Sequence, residues 1–277
     1  MPELPEVETV RRTLLDLIVG KTISTVIVTW GKIIKKPNEV DEFQILLKGQ
    51  TVENINRRGK FLLFQLSDFT LVSHLRMEGK FRVFPAEEPV APHTHVRFLF
   101  EDGTELRYQD VRKFGTMHLF NKGEEKEGPP LAKLGPEPFS DEFTADYLRK
   151  KLKNTNRKIK VVLLDQELVV GLGNIYVDEV LFRAKIHPET PASSLKPKQI
   201  KLLAETITET LQEAVDLGGS TIRSYVNSQG QIGTFQDIIK VYGRKGLECH
   251  NCGQPIEKIT VGGRGTSFCP VCQPKKN

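Results

Sequence analysis

Between Thr22 and about Phe120 the chain alternates short β-prone runs with turn signals. The runs are Thr25 to Val28, Phe61 to Leu66, Thr70 to His74, Phe81 to Phe84, Val96 to Phe100, Leu106 to Tyr108 and Met117 to Phe120. Runs of this length and composition predict the strands of an antiparallel sandwich or barrel. Ahead of them Val7, Val10, Leu14, Leu17 and Ile18 recur at helical spacing behind Pro2 and Pro5, so a helix is expected after the first turn. Residues Asn121 to Pro138 are rich in Gly, Pro and charge and read as a linker. Helical periodicity takes over beyond it. Ile200, Leu203, Ala204, Ile207, Leu211, Ala214 and Val215 trace one core-facing stripe that Gly218 and Gly219 stop. Between Lys158 and Ala184 two shorter helical segments flank Gly171-Leu172-Gly173-Asn174. The glycines permit a tight turn, and Asn174 is expected to cap the second helix, whose N-terminus suits a phosphate.

The 277 residues suffice for two or three modest domains. There is no run of about 20 apolar residues and no basic leader with an apolar core, so a cytoplasmic location is expected. The formal charge of +5 fits any soluble protein, but its distribution is uneven. Seven Lys or Arg and no acid lie between Arg149 and Lys160, while Glu3, Glu6 and Glu8 crowd the start. Taken alone, the basic run is a solvated helix face.

All four cysteines fall in the last thirty residues, as Cys249-His-Asn-Cys252 and Cys269-Pro-Val-Cys272 with sixteen residues between the pairs. Four thiolates at this spacing can surround a tetrahedral Zn²⁺, and a short polar tail with little core needs such a metal to fold. Disulfides are the competing reading, disfavoured in a chain without an export signal. Zinc with four protein ligands is structural, since no position is left for water. Ile256 to Ile259 and Ser267 to Phe268 are expected to pair as a hairpin with Gly262 to Gly265 at its tip, presenting Lys258 and Arg264.

Pro2 follows the initiator methionine, whose removal leaves a secondary amine. An α-amine titrates near 8, against about 10.4 for lysine, so a useful neutral fraction exists at neutral pH. Attack of that amine on a sugar carbon yields an iminium that stays positive without a proton, an electron sink suited to elimination. Glu3 stands beside it as acid or base. The structural alternative makes Pro2 a helix-start residue and the glutamates partners of the helix dipole.

The opening Pro2-Glu3-Leu4-Pro5-Glu6-Val7-Glu8-Thr9 resembles the start of the formamidopyrimidine-DNA glycosylases. The likeness runs on through Arg57-Arg58-Gly59-Lys60, His74-Leu75-Arg76-Met77, His93-Thr94-His95, Asp110 to Gly115, Leu134 to Pro138, Gly173 to Tyr176, Val241 to Arg244 and the cysteines. It implies an α+β protein in three parts: an N-terminal antiparallel β-sandwich with flanking helices over 1–133, a helix-two-turn-helix domain over 134–238, and a β-hairpin zinc finger over 239–277. It implies excision of oxidised purines from double-stranded DNA, followed by β,δ-elimination at the abasic site, by a monomer holding one Zn²⁺ on Cys249, Cys252, Cys269 and Cys272. On matched positions Pro2 is the Schiff-base nucleophile and Glu3 the acid that protonates the sugar ring oxygen. Glu6 supports the amine, Lys60 assists β-elimination, and Arg264 clasps the lesion phosphate and assists δ-elimination.

Chemistry on a base requires its extrusion from the stack, and the vacated space must be filled. Met77, Arg112 and Phe114 match the family's intercalating trio, in which Met and Phe wedge and Arg bonds the orphaned partner base. The resemblance assigns DNA-backbone contacts to His74, His93, Lys158, Asn174, Tyr242 and Lys258 beside Arg264. It matches Gly219 to Phe235 with a loop that closes over the extruded purine. The related endonuclease VIII type shares the amine, glutamate, lysine and zinc but prefers oxidised pyrimidines; the trio and the long loop favour the purine enzyme.

Overall fold

The apolar stripe behind Pro5 forms α1 (Leu4–Ile18), with Pro5 in its first turn where an amide proton is dispensable. This geometry comes from a computed structural model, which describes residues 2–220 and 233–275. The chain divides into two units, Met1–Lys133 with Gly218–Gly233 and Leu134–Leu217 with Thr234–Asn277.

In the first unit α1 is followed by β1 (Ile23–Val28), β2 (Ile34–Lys36), α2 (Val40–Leu47), β3 (Val52–Arg58), β4 (Phe61–Leu66) and β5 (Phe69–His74). Then come β6 (Lys80–Pro85), β7 (Thr94–Phe100), β8 (Thr104–Gln109) and β9 (Thr116–Asn121). One sheet has the order β1-β7-β8-β6 and is antiparallel throughout; the other has the order β2-β9-β5-β4-β3, antiparallel except for the β2–β9 pair. Their facing side chains join one apolar cluster, which Val7, Val10 and Leu14 of α1 and Phe43 and Leu47 of α2 complete. Phe64 of one sheet meets Phe81 of the other edge-on, ring centres 5.2 Å apart. This is the expected sandwich. Three elements lie outside the β-prone runs of the sequence: β2, α2 and the polar strand β3, whose outer edge lies under α1.

In the second unit Thr144 caps α3 (Ala145–Leu152), its hydroxyl accepting from the Tyr147 amide at 3.0 Å. There follow α4 (Ile159–Leu163), α5 (Asn174–Arg183), α6 (Pro197–Asp216) and the hairpin β10 (Glu257–Val261) and β11 (Arg264–Phe268). α6 packs on α3 and α5, and α5 packs on β11. The basic run is thus split. Arg149, Lys150 and Lys151 sit in the last turn of α3, where the helix dipole favours cations; Lys153, Arg157 and Lys158 lie between α3 and α4, and Lys160 is buried within α4. No helix among the described residues is long and apolar enough to cross a membrane.

Glu8 ties α1 to the sheet. Its carboxylate accepts from Arg11 at 2.7 and 3.0 Å, from Arg12 at 2.9 Å and from Arg57 of β3 at 3.0 Å. Arg57 also donates to the carbonyl of Gly59 at 3.1 Å, and Arg11 to that of Ile55 at 3.2 Å. Burial works to raise the Glu8 pKa, but Arg11 first, then Arg57 and Arg12, outweigh it and hold the carboxyl down to about 2. A folded-state pKa below the ordinary 4.5 means stabilisation that is full above that value and is lost as pH falls through about 2. Denaturant midpoints of the protein should therefore fall between these pH values. Glu8→Gln should flatten that fall and cost about 2 kcal/mol at neutral pH. An unchanged acid limb in the variant would remove Glu8 from this role.

Candidate catalytic and DNA-binding residues

The candidate groups at the chain start are withdrawn from water. Pro2 is buried, as are Glu3 and Glu6 at 2% exposure each, and only dense hydrogen bonding makes that tolerable for carboxylates. Glu6 Oε2 accepts from the Glu3 amide at 2.8 Å, while Oε1 accepts from the Ser220 amide at 2.7 Å and from its hydroxyl at 3.2 Å. Gly219 is left-handed at φ 77°, and a Cβ there would lie 2.8 Å from Glu6 Oε1, so this approach requires glycine. Residues 221–232 of the loop expected over Gly219 to Phe235 lie outside the described residues.

Lys60 is 6% exposed and sits in the two-residue turn between β3 and β4. Gly59, left-handed at φ 55°, takes the first turn position, as a two-residue hairpin prefers. The Glu8–Arg57–Gly59 chain of bonds therefore ties this turn to α1. Phe61, next to Lys60, pairs across the sheet with His74, ring against ring at 4.5 Å. Burial, with the charges of Arg76 and Lys60, pushes the His74 pKa down to about 3, so the ring is neutral. Its Nδ1 accepts from the Arg76 amide at 2.9 Å, which leaves the proton on Nε2 as a donor.

Met77, His93, Arg112 and Phe114 come from three segments that meet. Met77 rides the turn Leu75 to Gly79, which the Gly79 amide closes on the Leu75 carbonyl at 2.9 Å. Arg112 and Phe114 stand out from the β8–β9 connection, Phe114 52% exposed with the Arg112 guanidinium 5.0 Å over its ring. Asp110, buried beneath them, accepts from the amides of Arg112, Phe114 and Gly115 at 3.0, 2.8 and 2.8 Å. Its own amide donates to the carbonyl of the exposed His93 at 3.0 Å, and His95 donates to its carbonyl at 2.9 Å. Asp110 lies inside a matched motif without a role assigned to it. An acid bonding the amide two residues on is an Asx turn, and that is the signal that could have marked it.

In the second unit Asn174 is the first residue of α5 and Gly173 is its N-cap, so the expected capping by Asn174 does not occur. Its amide instead donates 2.9 Å to the carbonyl of Gly265, beside Arg264. The hairpin turn is the two residues Gly262 and Gly263, both left-handed, and Arg264 opens β11 rather than lying in the turn. Arg264 and Lys258 are both exposed, with Lys258 running alongside Gly265. Fully buried Lys160 bonds Asp178 at 2.7 Å and the Gly265 carbonyl at 3.2 Å, and Asp178 also accepts from the Ser267 amide at 2.9 Å. Buried Glu179 accepts from the amides of Lys240, Val241 and Tyr242, all at 2.9 Å, and so fixes the backbone of Tyr242. Adjacent acids inside an otherwise apolar helix are the sequence signal for both. Lys158 is engaged by Glu189 at 2.5 Å on the surface.

The sulfurs of Cys249, Cys252, Cys269 and Cys272 all lie within 4.8 Å of one another. Cys249 to Cys272 is 3.9 Å and Cys252 to Cys269 is 3.5 Å. Bonds of about 2.3 Å to a central zinc place tetrahedral sulfurs about 3.8 Å apart, whereas a disulfide needs about 2.05 Å. The donor set fits one structural zinc, packed against Phe182, Val241 and Ile256.

Three family models match the chain: the formamidopyrimidine-DNA glycosylase N-terminal domain over residues 1–117, its H2TH domain over 134–226, and the zinc finger found in FPG and IleRS over 246–275. Formamidopyrimidine-DNA glycosylases from Bacillus licheniformis and Bacillus anthracis are 65% and 64% identical over 275 residues, 99% of this chain and 100% of theirs. Two solved structures of Lactococcus lactis Fpg, with N7-benzyl-Fapy-dG DNA and with abasic-site DNA, match at TM-score 0.93 and 46% identity. They cover 99% of this chain and 100% of their own.

Because the zinc site is the fold of the C-terminal hairpin, chelation should release one zinc per chain and strip hydrogen-exchange protection from Glu257–Phe268 while the β-sandwich keeps its own. Hairpin amides that stay protected after zinc is gone would contradict this.

Proposed function

The chain belongs to the formamidopyrimidine-DNA glycosylase family, and from that membership we propose that it excises oxidised purines, 8-oxoguanine and formamidopyrimidines, from duplex DNA through the amine of Pro2. As a DNA glycosylase and AP lyase of base excision repair it breaks a glycosidic bond and then the strand. Pro2, freed of Met1, adds its nitrogen to C1′ as the bond from C1′ to the base breaks. Glu3 delivers a proton to the ring oxygen as the C1′–O4′ bond opens, leaving a positively charged iminium. That sink acidifies the C2′ proton; its removal, with Lys60 assisting, expels the 3′ phosphate, and a second elimination with Arg264 assisting expels the 5′ phosphate. Water then hydrolyses the iminium and frees Pro2.

The observation that carries this reading is the buried Pro2-Glu3 pair at the head of α1, with Glu6 bonded to the Glu3 amide. A helix start needs no buried glutamate pair, and core packing disfavours one. Glu6 supports the amine by holding that turn. Met77, Arg112 and Phe114 fill the stack behind the extruded base, and an exposed Phe stacked with an Arg suits that task better than it suits a free surface. His74, as a neutral donor, joins His93, Lys158, Asn174, Tyr242, Lys258 and Arg264 on phosphates. The Lactococcus lactis complexes with Fapy-type and abasic DNA support the same substrates here. We place the enzyme in the cytoplasm, on the nucleoid, as a monomer.

Borohydride should trap a covalent adduct on duplex DNA bearing 8-oxoguanine opposite cytosine, and the adduct should map to the N-terminal tryptic peptide Pro2–Arg11. Pro2→Gly keeps a primary amine and should trap roughly tenfold more slowly. No adduct with the wild-type chain would sink the proposal, and stronger trapping on thymine glycol would replace purines by pyrimidines.

A further inference from the structure

Two glycines close on the hydroxyl of a buried tyrosine. A Cβ on Gly79 would lie 2.3 Å from Tyr108 Oη, and one on Gly115 would lie 1.7 Å from it and 2.6 Å from the ring carbon Cζ. Neither residue has the left-handed φ that would explain a glycine by conformation alone. Gly79 ends the turn that carries Met77; Gly115 ends the connection that carries Arg112 and Phe114. The hydroxyl also points to Asp110 Oδ2 at 3.4 Å, the oxygen that accepts from Phe114 and Gly115. The ring itself has no room to retreat. Tyr108 has no solvent exposure and packs against Phe81 at 5.0 Å between ring centres.

We propose that Tyr108 is a positioning residue that registers the Met77 turn against the Arg112–Phe114 loop, so that the three side chains enter the stack as one preformed wedge. This rests on the wedge role proposed above. The physical case is that the half-buried tip of one turn and the exposed tip of the other share one rigid contact below them. Each glycine is required because a methyl would sit where the hydroxyl is. Asp110 fixes the shape of one loop, and the tyrosine oxygen lies against both. Preorganisation of this kind removes ordering cost from base extrusion, not from the bond-breaking step.

Tyr108→Phe deletes one oxygen and is the test. With thermal unfolding followed as a check on the fold, excision of 8-oxoguanine from duplex should slow about fivefold. Preference for cytosine over adenine opposite the lesion should narrow, since Arg112 is then less well placed. Borohydride trapping on a single-stranded abasic oligonucleotide, which has no stack to wedge, should stay at the wild-type rate. Tyr108→Phe combined with Met77→Ala should be no slower on duplex than Met77→Ala alone, as expected for residues acting through one step. Gly115→Ala should be more damaging than Tyr108→Phe because its methyl meets the ring carbon as well. Equal losses on duplex and single-stranded substrates, or full additivity with Met77→Ala, would overturn the inference. A wild-type chain that traps the single-stranded substrate but not the damaged duplex would overturn the functional reading and this inference with it; wild-type duplex activity retained in Tyr108→Phe would overturn this inference alone.

Discussion

A carboxylate taken out of water must be met by donors, and in this protein that constraint shapes nearly every segment that presents a candidate functional group. Glu6 gathers the Glu3 and Ser220 amides, Asp110 gathers three amides of its own loop, and Glu179 gathers those of Lys240 to Tyr242. Glu8 instead takes guanidinium groups and passes the restraint through Arg57 to the turn of Lys60. Asp178 takes one ammonium and one amide, joining α4, α5 and β11. A loop held only by apolar contacts can slide, because those contacts are nondirectional. A loop held by two or three amides on one carboxylate cannot move without stranding a buried charge, which costs several kcal/mol.

The same constraint separates what could be read in the chain from what could not. Strands such as β4, buried along nearly its whole length, advertise themselves by composition, and the stripe of α6 by its period. β3 is polar at Glu53, Asn54, Asn56, Arg57 and Arg58 because it is an edge strand with solvent on much of one face, so its composition resembles a loop. The four cysteines are legible from spacing because a metal demands particular atoms at particular separations. Pro2, Glu3, Lys60 and Arg264 could be named only through a matched pattern, since singly they look like ordinary surface or helix-start residues. Tyr108 has no local signature of function, and the adjacent acids Asp178 and Glu179 mark only that something must meet them, not which residues do. Their meaning lies in contacts to residues far along the chain.

The hairpin illustrates how a metal and a buried ion pair divide the work. Zinc closes the base of β10 and β11 by joining Cys249 and Cys252 to Cys269 and Cys272, but the turn lies at the far end. There Lys160 and Asn174 both reach the Gly265 carbonyl, and Gly262 packs so close to Val161 that a Cβ would lie 2.5 Å from it. Arg264 is therefore exposed on a backbone that is restrained at both ends, which is what a long side chain needs if it is to grip a phosphate at low entropic cost.

At the head of α1 the requirements of the proposed chemistry oppose one another. The proposed attack needs the Pro2 nitrogen uncharged, and the positive end of the α1 dipole lies beside it. After attack the same nitrogen is an iminium and needs negative charge nearby. A carboxylate free to approach the amine beforehand would hold it protonated. The oxygens of Glu6 are directed at the Glu3 amide and at Ser220, so the carboxyl group is oriented by these donors. Ser220 is the second residue of the segment Gly219 to Phe235. One carboxylate thus holds both the Glu3 turn next to Pro2 and Ser220, and a shift at either is felt at the other.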